Sequence, residues 1–198
     1  TERCVQKSLV QNALRPAIEP RIIYDNSASI EGKGTEFALK RLKQHLARHY
    51  RKHRRSGGIL VMDYAGFFDS ISHRILLNML EDVLEDERVF ALTKMFIDAF
   101  PGEYGLGLGS EVSQTCAIFY PNKIDHYVKE KLHIEGYARY MDDSYVIHED
   151  LDYLRHCRDE IERIASEDLE LHLNPKRTMI VRFDGGSFCY LKKRIRIT

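Results

Sequence analysis

The sequence predicts an α+β fold: an antiparallel sheet of the split β-α-β type with helices on one face, preceded by a helix-rich basic segment. Three observations lead there. Ile59-Leu60-Val61-Met62 is a continuous apolar run, bounded by Gly57-Gly58 and Asp63, and too short for a helix. Two alternating runs, Tyr137-Ala138-Arg139 and Ser144-Tyr145-Val146-Ile147, flank Tyr140-Met141-Asp142-Asp143 and read as a hairpin. Helical spacing before and after that hairpin completes the order β-α-β-β-α-β.

Taken in order, Val5, Leu9, Ala13, Leu14 and Ile18 give a helix over 2–18, limited by Pro16 and Pro20. Residues 25–35 carry turn residues. Gly32-Lys33-Gly34 within them lacks the full Gly-x-x-x-x-Gly-Lys-Ser/Thr pattern, so a nucleotide-hydrolysing loop is rejected. A long helix follows over about 35–55, with Phe37, Leu39, Leu42, Leu46 and Tyr50 apolar and Gly57-Gly58 as its stop. His45, His49 and His53 lie at i, i+4, i+8. No carboxylate or cysteine accompanies them, so they read as part of the basic face rather than as a metal ladder.

After the strand at 59–62, a turn (64–69) leads to a helix near 72–85 with Ser72 as its cap, then to one near 87–99. Residues 101–110 form a glycine-rich loop. Helix 113–132 begins at Ser113 and bends at Pro121. Helix 150–167 follows the hairpin, and strands are predicted near 169–173, 178–183, 188–191 and 193–197.

The 198 residues suffice for one domain or one lobe of a larger protein. The chain opens without Met, which suggests a segment of a longer polypeptide. There is neither an apolar run near the ~18 residues of a membrane span nor a secretory signal, so a cytosolic protein with no membrane partner is expected. Cys4, Cys116, Cys157 and Cys189 are too dispersed for a structural zinc site or a disulfide framework. A net charge of zero hides an asymmetry: residues 1–58 hold 13 Lys/Arg against 5 Asp/Glu, and the remainder 17 against 25. The basic third suits a polyanion, with Lys33, Arg48, Arg51 and Lys52 as candidate contacts.

Adjacent carboxylates at a hairpin tip repel one another unless a cation neutralises them, and hard oxygen ligands suit Mg²⁺. If the 59–62 strand pairs beside the hairpin, Asp63 joins Asp142 and Asp143. Three carboxylates then hold two Mg²⁺ ions, with Mn²⁺ as a substitute, for in-line phosphoryl transfer: the chemistry of nucleotide polymerisation. Backbone N–H groups of Gly66-Phe67-Phe68 could meet a triphosphate. Phe68 is placed to exclude a 2′-hydroxyl, and Gly109 to let backbone approach a base pair.

These residues carry a resemblance. Asp63-Tyr64-Ala65-Gly66-Phe67-Phe68, Tyr140-Met141-Asp142-Asp143, Leu171-His172-Leu173-Asn174-Pro175-Lys176-Arg177-Thr178 and Phe188-Cys189-Tyr190-Leu191 resemble, in order, the first catalytic motif, the Tyr-x-Asp-Asp box, the Leu-x-Leu-Asn-x-x-Lys-Thr motif and the primer-grip hairpin of reverse transcriptases. The likeness spans nearly the whole chain and implies a polymerase palm (59–198) behind partial, basic fingers (1–58), with no thumb. It implies an RNA-directed DNA polymerase with Asp63, Asp142 and Asp143 as catalytic metal ligands, Gly66, Phe67, Phe68 and Gly109 at the nucleotide, and Lys176 or Arg177 on the pyrophosphate side. RNA template, DNA or RNA primer, dNTPs and an accessory retroelement protein are the implied partners. Leu108-Gly109-Ser110-Glu111-Val112-Ser113-Gln114 departs from the usual Gln-Gly-x-x-x-Ser-Pro and resembles diversity-generating retroelement enzymes, which implies relaxed fidelity and a bacterial or phage-encoded, cytoplasmic protein. Group II intron maturases and abortive-infection polymerases are the alternatives within the family. An RNA-dependent RNA polymerase or a non-catalytic RNA-binding scaffold are those outside it.

Overall fold

A computed structural model describes residues 2–197. The chain opens on one helical run: α1 (Glu2–Leu9), a π turn (Val10–Leu14), α2 (Arg15–Ile18) and a 3₁₀ turn (Glu19–Arg21). The π turn sits directly ahead of Pro16, whose ring would strike the carbonyl four residues back in regular α geometry. Next comes α3 (Thr35–His53), followed by β1 (Gly58–Met62), α4 (Phe67–Ser70), α5 (His73–Glu81) and α6 (Glu87–Asp98). The chain continues through α7 (Glu111–Phe119), α8 (Asn122–His126) and a second π turn (Tyr127–Lys131). It ends with the hairpin β2 (Tyr137–Tyr140) and β3 (Asp143–His148), then α9 (Leu151–Leu169), β4 (Met179–Arg182), β5 (Gly186–Tyr190) and β6 (Lys193–Ile197).

The sheet order β2-β3-β1-β4, antiparallel throughout, is the split β-α-β arrangement the sequence predicts. β1 is central and buried along its whole length, which explains its unbroken apolar run. Its side chains alternate between two cores. Leu60 and Met62 join Tyr137, Val146 and residues of α5, α7 and α9, while Ile59 and Val61 join Ala138, Tyr145 and Ile147. This second face is not bare. Ala38 and Leu42 of α3, with Phe188 and Tyr190 of the separate β5–β6 hairpin, cover it.

Several local expectations change. Helix α3 ends on Arg54, which takes φ 56°, not on the glycines. Gly57 and Gly58 serve close packing instead: a Cβ would lie 2.1 Å from the His148 carbonyl oxygen and 2.6 Å from that of Val181. His45 and His49 are buried toward the sheet rather than on the basic face. The His45 ring is bonded to the Tyr145 hydroxyl at 2.9 Å and the His49 ring to the Ser56 carbonyl at 2.8 Å. Tyr50, expected inside, is exposed. The cap of α7 is Ser110, whose Oγ accepts from Ser113 N–H at 3.3 Å, so Ser113 lies within the helix. Pro121 breaks rather than bends the long helix: α7 stops before it and α8 starts after it. Residues 169–173 form no strand; Leu169 closes α9 and Leu173 makes a single bridge to Tyr64.

Candidate active site

The β1–β3 register fixes the site. Met62 pairs with Ser144, so the next position along each strand is Asp63 on one and Asp143 on the other. The adjoining tip is a two-residue loop, Met141-Asp142, linking the Tyr140–Asp143 pair. Met141 holds φ 58°, a conformation in which a Cβ is strained, and Asp142 does not; this is the pattern of a turn that favours glycine first.

The 171–178 segment completes the arrangement. Its backbone clamps the Asp63 strand end: Ala65 N–H donates to the His172 carbonyl at 2.9 Å, and Asn174 N–H to the Asp63 carbonyl at 2.7 Å. Asn174 then builds a turn, its Oδ1 accepting from Lys176 N–H at 3.1 Å and its carbonyl from Thr178 N–H at 2.8 Å. That turn swings Arg177 over the carboxylates, with Nη1 2.7 Å from Asp63 Oδ2 and Nη2 3.5 Å from Asp143 Oδ1. Lys176 is exposed and makes no ion pair among the described residues. The sequence motif therefore has a mechanical meaning: the Asn shapes the turn and the position three residues on receives the cation.

Burial, then the Asp142 charge, pushes Asp143 up to about 6, against the pull of Arg177; Leu191 N–H, at the tip of the β5–β6 hairpin, also favours its charged form. Burial and Asp142 likewise raise Asp63. Asp63 Oδ2 is buried without an aligned hydrogen bond, although Arg177 is close enough to compensate charge. Among the described residues, no three His, Cys, Asp or Glu side chains converge into a ready-made metal cage. The donor set nonetheless fits a hard divalent cation: carboxylate oxygens, one of them orphaned, in a place where their mutual charge is unfavourable.

Other expected site residues are distributed around this centre. Gly66 (φ 56°) starts the short α4 immediately after the Asp63 strand end. Phe67 is buried and stacks on Tyr64 with ring centroids 5.7 Å apart, so its side chain belongs to the core. Phe68 is half-buried beside it. Gly109 takes φ 96° with open space before it, and Leu108 next to it is 81% exposed. A Cβ at 109 would meet nothing, so in this structure the glycine answers the backbone angle rather than a close approach.

The basic candidates lie elsewhere. Lys33 is turned inward, donating to the Tyr24 and Asn26 carbonyls at 2.6 and 3.0 Å above the Tyr24 and Phe37 rings, and burial lowers its pKa. Arg48 and Lys52 reach Glu135 at 3.1 and 3.9 Å. Glu135 precedes β2 at the end away from Asp142, roughly 15–20 Å along the strand at ~3.3 Å per residue. Arg51 is exposed and makes no ion pair among the described residues.

Sequence reasoning missed Arg139 and Asp125. Both are 0% exposed, joined through Nη2–Oδ2 at 2.6 Å and Nε–Oδ1 at 2.8 Å directly behind the carboxylate hairpin. The available signal was parity: Arg139 shares its strand face with Tyr137, the apolar side.

Comparison with known proteins adds the following. A family profile described as "Reverse transcriptase (RNA-dependent DNA polymerase)" matches residues 2–193. No curated protein matches. Among solved structures, the telomerase of Candida albicans in complex with a fragment of telomeric RNA is similar over 99% of this chain and 36% of its own, at 11% identity and a TM-score of 0.69. The apo telomerase of Candida tropicalis is similar over 98% and 39%, at 12% identity and a TM-score of 0.70. A form truncated from its C-terminal domain gives 98% and 43%, 14% and 0.65. At these identities the likeness is one of fold, and the chain spans about two fifths of the length of the proteins it resembles. No helix among the described residues is long and apolar enough to cross a membrane.

Proposed function

The chain belongs to the reverse transcriptase family of RNA-dependent DNA polymerases, and from that premise we propose that it carries the catalytic centre of a template-directed nucleotidyl transfer from dNTPs to a primer 3′-hydroxyl. The observation that carries this reading is the placement of Asp63 and Asp143 on adjoining strand ends, Asp142 at the neighbouring turn and Arg177 above them. Asp63, Asp142 and Asp143 would hold Mg²⁺, or Mn²⁺ in its place. Two such ions supply activation of the attacking hydroxyl and neutralisation of the leaving pyrophosphate.

The chain's own residues do the rest. Arg177, rather than Lys176, is the pyrophosphate-side group, because it already faces the carboxylates. As a guanidinium it stabilises charge and does not donate a proton. Phe68 follows the Asp63 strand end and bounds the sugar, favouring deoxynucleotides. Gly66 and Phe67 contribute backbone, and Gly109 gives the opposite loop its turn. Residues 59–198 act as palm and 1–58 as the fingers side. Arg48, Arg51 and Lys52 track nucleic acid away from the chemistry. Lys33 acts indirectly, by fixing the 24–26 loop.

Within the family, a bacterial or phage retroelement enzyme of the diversity-generating type is the favoured reading, acting in the cytoplasm on RNA template and primer, with an accessory retroelement protein. Its support is Leu108, which projects into solvent, and Gln114, whose Oε1 accepts from the Ser29 hydroxyl at 3.3 Å. An aliphatic side chain there offers no polar contact to a nucleotide.

Primer extension on an RNA template by the full-length protein, with dNTPs and Mg²⁺, tests the reading. The wild type extends and Asp142→Ala does not; equal extension by both, or none by either, overturns it. Phe68→Ala tests the sugar gate, with ribonucleotide use expected to rise about tenfold or more, one tenfold step being about 1.4 kcal/mol of discrimination.

A further inference from the structure

The turn that carries Asp142 is strained, and something must hold it. Met141 is not glycine, yet it sits at φ 58°. Its carbonyl oxygen accepts from Arg139 Nη1 at 2.9 Å. Every other polar contact of that guanidinium is to a fixed group. Nη2 donates to Asp125 Oδ2 at 2.6 Å and to the Ile118 carbonyl at 2.8 Å, and Nε donates to Asp125 Oδ1 at 2.8 Å. Asp125 is braced in turn by the Tyr137 hydroxyl, which donates to Oδ1 at 2.6 Å. Ile118 lies in the last turn of α7, where carbonyls lack helical partners and favour a cation.

The Arg139 backbone is held on both sides. It pairs with Ser144 across the hairpin, and with residues 25–27 through Arg139 N–H to the Asp25 carbonyl and Ser27 N–H to the Arg139 carbonyl, each 3.2 Å. A fully buried guanidinium, bonded on its other nitrogens to Asp125 and Ile118, thus ends on the carbonyl of the strained turn residue.

We propose that Arg139 is a positioning residue: anchored by Asp125, it holds the Met141 carbonyl and thereby the left-handed turn that aims Asp142 and Asp143 at the metal position. This rests on the reading of those carboxylates as metal ligands. Arg139 is wholly buried, so its part is to position the turn and not to bind. Its role is distinct from filling the core, because a core filler would be indifferent to the conformational demand of residue 141.

Arg139→Lys in the full-length protein keeps a cation beside Asp125 but cannot span Asp125, Ile118 and Met141 together. Mn²⁺ binding, followed by the loss of free-ion paramagnetic resonance signal, is expected to weaken about tenfold or more, as when the supports of other metal ligands are removed. In primer extension kcat falls while KM for dNTP changes little. Met141→Gly removes the steric objection to the turn, so the loss caused by Arg139→Lys shrinks at least about threefold in the glycine background. Undiminished Mn²⁺ affinity in Arg139→Lys, or a loss of the same size in both backgrounds, overturns the proposal. If Arg139→Lys fails to fold, the apolar pair Arg139→Met with Asp125→Leu takes its place, with the same expected losses and the same overturning results. A wild type that binds Mn²⁺ no better than Asp142→Ala defeats the metal reading itself, which separates that failure from failure of the latch.

Discussion

Two carboxylate clusters lie on opposite sides of the same hairpin, and they are built to opposite specifications. Behind it, Asp125 is wholly buried yet fully matched, by Arg139 and by the Tyr137 hydroxyl. Nearby Asp25 follows the same plan: burial opposes its charge, but Arg41 and Lys129 hold it below its ordinary pKa. In front, Asp63 and Asp143 are also largely buried, yet burial and Asp142 push both upward, and Asp63 Oδ2 has no aligned donor. Burial alone therefore does not mark a functional carboxylate. What distinguishes the front cluster is a buried carboxylate oxygen left without an aligned donor, close in space to carboxylates whose oxygens are each matched.

The comparison breaks most visibly if front and back variants fail alike. On the proposed function, Asp142→Ala is expected to lower extension about a thousandfold or more, with no fall in melting temperature. A lowered melting temperature would mean that the front cluster is structural. Asp125→Ala leaves Arg139 buried without its counter-charge and costs about 3–5 kcal/mol of stability, read from urea unfolding. A cost below about 1 kcal/mol would show that the back pair is not a buried ion pair.

Acid acts with opposite sign on two buried groups, Asp143 and His45. Asp143, raised to about 6, binds a proton in the folded state before the unfolded chain does, so its contribution to stability grows as pH falls from about 6 towards 4. Burial holds His45 down to about 4, so the unfolded chain takes up that proton first and stability is lost as pH falls from about 6.5 to 4. Asp143→Asn is expected to stabilise the metal-free protein at pH 7 by about 1–3 kcal/mol and to make the loss on acidification steeper. Denaturant midpoints measured between pH 4 and 7 test this; parallel pH profiles for the two proteins would contradict it. Smallest is the effect at the far end of β2. Arg48→Ala or Lys52→Ala breaks an exposed pair with Glu135, and stability should move by less than about 1 kcal/mol in thermal melts.

Much of the frame was legible because periodicity reports directly on burial. The apolar run of β1 means two covered faces, and the hairpin alternation means two different ones. The juxtaposition of Asp63 with the hairpin followed once the 59–62 strand was taken to pair beside it, as its register with Ser144–His148 does. What periodicity does not report is the partner. The spacing of His45, His49 and His53 puts them on one side of the helix, but nothing in it shows that this side faces Tyr145 and the Ser56 carbonyl rather than belonging to the basic face. Leu171-His172-Leu173 alternates like a strand, yet its backbone is spent on the Asp63–Ala65 segment rather than on a sheet. Arg139 was invisible as a core residue because Asp125, the group that makes its burial tolerable, sits 14 positions earlier on a helix. Ser110 and Ser113 both suit a cap, and the choice depends on where the glycine-rich loop delivers the chain.

Helix α3 lies across the face formed by Ile59, Val61, Ala138, Tyr145 and Ile147, although it belongs to the basic third of the chain. Trimming this protein at residue 59 would remove the α3 half of that cover, leaving Phe188 and Tyr190, and open apolar sheet surface to other copies. Such a fragment is expected to precipitate on expression even with Asp63, Asp142 and Asp143 intact. The basic third and the sheet thus share one core, and residue 59 is not a line along which the polypeptide can be cut.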